Sequence, residues 1–438
     1  MIRRMVTNPI SPFPADFLWG VSTSAHQIEG AAELREPSVW DAFTSVPGRV
    51  KDGSTAAVAC DHYHRYREDV ALLADLGVDA YRFSVSWPRV NSPGGLDFYD
   101  RLVDELCAAG VRPVVTLFHW DLPVALDWLE RDTAFRFAEY VSLVAGRLGD
   151  RVARWITLNE PAEHTLLGHA LGVHAPGRRL MFDALPVAHH QLLAHGLAVR
   201  ALRAAGADGI GIANSHGPVR AASEGQQDRA AADFYDLLLN RLFADPLLLG
   251  RYPEGIAELM PGDTGADLDV IAEPLDFYGV NYYAPARVGA PSGEDTDIGG
   301  LSLPAELPFS LKEIDGYPVT DFGWPVVPEA LTDLLTGFRA RYGDRLPPLV
   351  VTENGCSYEG IDDQERIAYL DGHIRALHRA VAAGVDVRGY FVWSLLDNFE
   401  WAEGYARRFG LVHVDYATLK RTPKASYGWL RELLRARG

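Results

Sequence analysis

A closed (β/α)8 barrel, one catalytic domain over residues 1–438, is the fold class this sequence predicts, and three observations predict it. Short apolar runs rich in β-branched residues alternate eight times with longer stretches of helical spacing. Glycine recurs at the helix-to-strand joints, at Gly77, Gly110, Gly149, Gly206 and Gly384. Eight parallel strands closed on themselves leave no edge to cover, which favours a barrel over an open doubly wound sheet.

The first strand is expected over 17–21, before a polar loop, 22–30, that carries His26, Gln27 and Glu29. Residues 61–76 set Tyr66, Val70, Leu73 and Leu76 on one helical face, and 80–85 alternate as a strand running into Trp87-Pro88. A helix over 96–109 precedes an apolar strand, 111–118, that ends in His119, Trp120 and Asp121. The unit repeats as helix 135–148 and strand 152–158, then helix 184–204 and strand 210–214. Helix 228–242 and a proline-rich segment lead to strand 275–280, which ends in Asn281, Tyr282 and Tyr283. Helix 328–342 precedes strand 349–352, and helix 363–383 precedes strand 387–392. Residues 284–323, rich in Pro, Gly and acidic groups, read as a long loop inserted over one face.

Hydrophobic residues at 48% and charged residues at 23% describe an ordinary globular chain. The formal net charge of -18, from 59 acidic against 41 basic residues, argues against nucleic-acid or anionic-membrane partners. Cys60, Cys107 and Cys356 are too widely spaced for a metal or disulfide framework, so reduced thiols in the cytoplasm are expected. Residues 1–10 show no secretory pattern, and no stretch is long and apolar enough to span a membrane. His26 and His119 lack metal-ligand spacing, and His62 with His64 reads as a surface pair at a helix start. No metal and no cofactor is expected.

In such barrels the chemistry gathers at the C-terminal ends of the strands. Gln27, Arg82, His119, Trp120, Asn159, Glu160, Tyr283, Glu353, Trp393 and Glu400 all stand at or just after an expected strand end. A glutamate beside an arginine is more often an ion-pair partner than a catalyst. Two glutamates at the ends of the fourth and seventh strands change that reading, because facing carboxyl groups about 5–5.5 Å apart are the apparatus of a retaining glycosidase. Aromatic rings at the same mouth, Trp120, Trp393, Trp401 and Tyr283, suit the C–H face of a sugar, while amides and carboxyls take its hydroxyls.

Several ordered blocks then carry a resemblance. They are Phe13-Pro14-Ala15-Asp16-Phe17-Leu18-Trp19-Gly20, Gln27-Ile28-Glu29-Gly30, Asp61-His62-Tyr63-His64-Arg65-Tyr66, Tyr81-Arg82-Phe83-Ser84, and the stretches 116–123, 157–161, 281–283, 352–355 and 393–401. Together they resemble glycoside hydrolase family 1, the β-glucosidase family, over almost the whole chain. The resemblance implies Glu160 as acid/base and Glu353 as nucleophile. It implies that Gln27, His119, Asn159, Glu400 and Trp401 bind sugar hydroxyls, that Trp393 is the stacking floor, and that Arg82 and Tyr283 bond Glu353 with Asn281 in support. Trp120 and Phe409 join the sugar site, and His174, Trp324 and the 284–323 loop the leaving-group site. Members that cleave 6-phosphoglycosides carry a small hydroxyl residue at the position of Glu400 and Tyr at that of Phe409. An anionic Glu400 would repel phosphate, so an unphosphorylated sugar is expected.

The chain departs from the family pattern at His26, where Tyr is usual, and in shorter segments at 89–96 and 356–363, both expected near the mouth. The expected function is a retaining β-glucosidase acting on terminal non-reducing β-D-glucosyl residues of small-molecule glycosides or oligosaccharides. The competing readings are a β-galactosidase or β-fucosidase preference with the same mechanism, and a glycan-binding barrel without catalysis.

Overall fold

Eight strands close into a parallel barrel: β1 (Leu18–Ser22), β2 (Ala80–Ser84), β3 (Arg112–Phe118), β4 (Arg154–Asn159), β5 (Ile210–Ser215), β6 (Phe277–Asn281), β7 (Leu349–Asn354) and β8 (Val387–Trp393). Each strand pairs with its neighbours in sequence, and β1 closes the ring against β8, with Leu18 opposite Gly389 and Ser22 opposite Trp393. The computed structural model describes residues 13–261, 264–299 and 301–437. The reading of residues 1–10 lies outside these. Among the described residues no helix is long and apolar enough to cross a membrane.

Every strand supplies one side chain to a buried cluster: Leu18, Ala80, Val114, Ile156, Ala213, Phe277, Val350 and Phe391. Small and large residues interleave there, so the barrel is a packed core and not a pore. Gly20 is part of that fit, since a Cβ on it would lie 2.3 Å from the Phe391 ring. The larger core lies between the strands and the helices α1 (His62–Leu76), α2 (Gly95–Ala108), α3 (Asp132–Leu148), α4 (Leu185–Ala204), α5 (Leu242–Leu249), α6 (Pro328–Tyr342), α7 (Gln364–Ala382) and α8 (Ala425–Arg435). Apolar residues at helical spacing produce that buried face; in α2 it is Phe98, Tyr99, Leu102, Val103 and Leu106.

Three readings need correction. The 284–323 insertion is not a bare loop. Ala286–Gly289 pairs in parallel with Val219–Ala221 and antiparallel with Ser310–Lys312, while Thr296–Ile298 and Leu301–Leu303 form a hairpin. With Leu238, Leu307 and Phe309 this small β layer builds a separate apolar cluster. His62 is not a surface residue: its ring is buried against Asp69 at 2.7 Å, and Asp69 also takes two bonds from Arg421. The helix expected over 228–242 begins at Gln226, passes through a π-helical turn at Leu237–Arg241 and continues as Leu242–Leu249.

Candidate active site

β4 delivers Asn159 at its last position and Glu160 immediately after it. Glu160 has φ 47° and ψ 59°, left-handed for a non-glycine residue, and Pro161 then starts a short helix. Trp120 (φ 75°) and Trp401 (φ 50°) share that unfavourable region, so three residues at one mouth hold strained backbone. β7 carries Glu353 one residue before its end, and Gly355 lets the chain pass the backbone of Trp393, where a Cβ would meet the carbonyl oxygen at 1.8 Å.

The two glutamates belong to one hydrogen-bonded network. Arg82 Nη1 donates to Glu353 Oε1 at 2.6 Å, and the Tyr283 hydroxyl donates to Glu353 Oε2 at 2.6 Å. Arg82 Nη2 donates to Asn159 Oδ1 at 2.6 Å, and Nε to Thr116 Oγ1 at 3.1 Å. Asn281 Nδ2 bridges Asn159 Oδ1 at 3.0 Å and Glu160 Oε1 at 2.8 Å, and is itself oriented by Thr352 Oγ1, which donates to Asn281 Oδ1 at 2.6 Å. The Asn159 amide meets His119 Nε2 at 3.0 Å, and Trp120 Nε1 donates to the Asn159 carbonyl at 2.9 Å. Strands β2, β3, β4, β6 and β7 thereby fix one another's end residues.

Electrostatics separate the two carboxyl groups. Glu353 is held in a buried ion pair with Arg82. Burial pushes the Glu160 carboxyl well above the usual range, and the neighbouring Glu353 and Glu163 push it further, against the Asn281 amide, which pulls it down. Burial and the charges of Glu353 and Glu403 raise Glu400 to about 8, so at neutral pH that carboxyl is largely protonated. A neutral acid donates as well as accepts, so this group can meet a hydroxyl in either sense. Burial lowers His174 to about 4 and His119 well below its ordinary value, leaving both rings neutral.

One cavity of about 1120 Å³ is lined by Glu160, Glu353, His119, Trp120, Tyr283, Trp393, Glu400, Trp401 and Phe409, and also by His174 and Trp324. His119 stacks between Trp393 and Trp401, with ring centroids at 5.8 and 5.9 Å, and Trp120 packs on Trp401 at 4.7 Å. Tyr283, Trp324 and Phe409 form a second aromatic wall. Gln27, Asn159, Arg82 and Asn281 stand behind the lining. The Gln27 amide lies 3.0 Å from Asn398 Oδ1, 2.9 Å from the Phe399 carbonyl and 3.3 Å from Glu400 Oε2, so it orients Glu400. His26 is buried beneath, stacked parallel to Trp401 at 5.9 Å. Neither 89–96 nor 356–363 reaches the cavity; the Arg89 side chain is turned inward onto Glu29 at 2.7 Å.

Sequence reasoning passed over Glu163, Ser215 and His216, which also line the cavity. The strand-end rule could have found the last two, because β5 ends at Ser215. Arg287 and Lys312, from the small β layer, carried no such signal. Among the described residues no group of three or more His, Cys, Asp or Glu side chains could hold a metal ion.

The profile of glycosyl hydrolase family 1 matches residues 10–438. The chain belongs to glycosyl hydrolase family 1. The thermostable β-glucosidase B of Thermobispora bispora is 45% identical over 97% of this chain and 91% of its own length. The bifunctional β-D-glucosidase/β-D-fucosidase of Bifidobacterium breve is 42% identical over 96% of this chain and 98% of its own. The crystal structure of the psychrophilic β-glucosidase BglU from Micrococcus antarcticus superposes with a TM-score of 0.93 at 45% identity, covering 98% of this chain and all of that one. Membership makes this barrel a glycoside hydrolase.

Proposed function

We propose that this family 1 hydrolase is a retaining β-glucosidase, a single catalytic domain in which Glu160 is the acid/base and Glu353 the nucleophile. The observation that carries the assignment is the contrast between the two carboxyl groups: Glu353 is ion-paired with Arg82, whereas burial and like charge raise the pKa of Glu160. A protonated group and an anion sharing one network are what the first step requires.

Glu353 attacks the anomeric carbon as Glu160 gives its proton to the departing glycosidic oxygen, leaving a glucosyl ester on Glu353 and a neutral alcohol. Glu160, now a carboxylate, takes a proton from water as its oxygen attacks the same carbon, and Glu353 leaves as an anion. Two inversions return the β configuration. Trp393 and Trp401 supply a stacking surface, with His119 and Glu400 facing the hydroxyls, while Gln27 and Asn159 hold those groups in place. His174 and Trp324 belong to the leaving-group side.

Glucose is the favoured sugar, with β-fucosides second; the bifidobacterial relative is named for both activities. A reducing, cytoplasmic setting is part of the same reading, supported by three free cysteines of which Cys60 and Cys356 are buried. Proton NMR of nitrophenyl β-glucoside hydrolysis tests the mechanism. β-Glucose appears first, before mutarotation, if the reading is right; α-glucose first overturns it. Sugar binding without hydrolysis of any β-glycoside would establish the glycan-binding alternative.

A further inference from the structure

A second, smaller cavity of about 110 Å³ adjoins the active-site cavity. Six residues, Glu163, Leu167, Tyr235, Leu239, Leu301 and Leu311, line both, so the two spaces share a wall. Beyond that wall every lining side chain is apolar except Thr165, and the Thr165 hydroxyl already accepts from Gln191 at 3.0 Å. Among the described residues that one hydroxyl is the only polar side chain its depth offers a sugar. A cavity of about 150 Å³ lined in this way stays dry and takes up benzene.

The local backbone is shaped to leave this space open. Two π-helical turns, His164–Ala170 and Leu237–Arg241, border it, and each inserts a residue that widens its helix. The small β layer closes the far side with Leu303, Leu307 and Phe309. On the shared wall stands Glu163, the last residue of the short helix that follows Glu160. Burial raises its carboxyl pKa. Glu163 follows the proposed acid/base Glu160 by three residues, a rise of about 4.5 Å along a helix axis.

We propose that the annex is a pocket for the tail of a straight-chain alkyl leaving group, so that the enzyme favours medium-chain alkyl β-glucosides. The inference rests on the β-glucosidase reading and adds the class of aglycone. The first few carbons cross the active-site cavity, and the later methylenes enter the annex. The same pocket receives a primary alkanol in the second step: Glu160 removes the hydroxyl proton, the oxygen attacks the anomeric carbon, and Glu353 leaves, giving an alkyl β-glucoside in place of glucose.

The test is kcat/KM for methyl, butyl, hexyl, octyl and decyl β-D-glucoside, each below its critical micelle concentration. Each methylene that enters should raise kcat/KM about fourfold, the equivalent of about 0.8 kcal/mol, until the annex is filled and the gain stops. Ala184→Leu, which fills the annex, should collapse the octyl-to-methyl ratio toward one; Leu307→Ala, which enlarges it, should move the plateau to a longer chain. Ratios within one preparation are independent of the folded fraction. Hydrolysis of methyl glucoside with no dependence on chain length overturns the annex alone, as does a rise that Ala184→Leu leaves intact. Absence of hydrolysis throughout overturns the glycosidase reading and this one with it.

Discussion

Replacing Tyr283 with Phe isolates one contact to the proposed nucleophile. The phenol donates to Glu353 Oε2 at 2.6 Å from a half-buried position, where desolvation and the charge of Glu353 keep it un-ionised. In the first step the carboxylate becomes a neutral ester, so a donor aimed at it is of no help and slightly restrains attack. In the second step the carboxylate re-forms as the leaving group, and the same donor stabilises the developing charge. A hydrogen bond to a charged group contributes about 1.5–3 kcal/mol, which corresponds to a loss of about 10- to 150-fold in the second step. With dinitrophenyl β-glucoside, whose leaving group makes the first step fast, kcat should fall by that factor and KM should fall with it as the glucosyl-enzyme accumulates. The burst of dinitrophenol should become easier to resolve while kcat/KM changes little. A large loss in kcat/KM with no accumulation of intermediate would refute the assignment of Tyr283 to the departure of Glu353.

Glu163→Gln removes a carboxyl group that holds the Glu160 pKa up, so Glu160 loses its proton at lower pH and the alkaline limb of the kcat/KM profile moves down in pH; an upward move contradicts the coupling. Asp69→Ala strips the partner from buried Arg421, which donates to Asp69 at 2.9 and 3.0 Å, and from His62 at 2.7 Å. It should cost about 3–5 kcal/mol, or about 3–5 °C in Tm for a chain of this length, and an unchanged melting curve would contradict it. The Asp69 pKa is depressed by His62 and Arg421 against the opposing effect of burial, so its stabilisation is present above the ordinary carboxyl range and disappears as pH falls through the lowered folded value. The Asp69→Ala variant should accordingly show a shallower loss of Tm on acidification than wild type.

The barrel was legible because its signals are local. Apolar runs, glycine joints and helical faces repeat, and the shared end of the strands turned residues as distant as Arg82 and Glu353 into neighbours. Helix α6 (Pro328–Tyr342) matches its expected bounds because proline starts it and glycine follows it. What escaped is non-local or short. His62 was misread because its partners lie seven and, through Asp69, some 350 residues away. Strands of three or four residues in the 284–323 insertion fall below the length at which alternation can be recognised, and they acquire meaning only by pairing. A π-helical turn leaves no mark in hydrophobic period, so the space it opens between Leu167 and Leu238 was invisible in sequence. The contacts of the Gln27 amide to Asn398, Phe399 and Glu400, more than 370 residues away, are likewise non-local and left no mark in the sequence.

The assignment of two roles to two glutamates is tested most directly by hydrolysis of dinitrophenyl β-glucoside by Glu160→Ala and Glu353→Ala, each with and without azide. Glu160→Ala should form the ester on Glu353 without needing an acid, stall there, and be rescued by azide with β-glucosyl azide as product. Glu353→Ala should have negligible hydrolysis and, with azide attacking from the vacated side, give only α-glucosyl azide. The same azide anomer from both variants, or near wild-type hydrolysis by Glu353→Ala, would contradict the account.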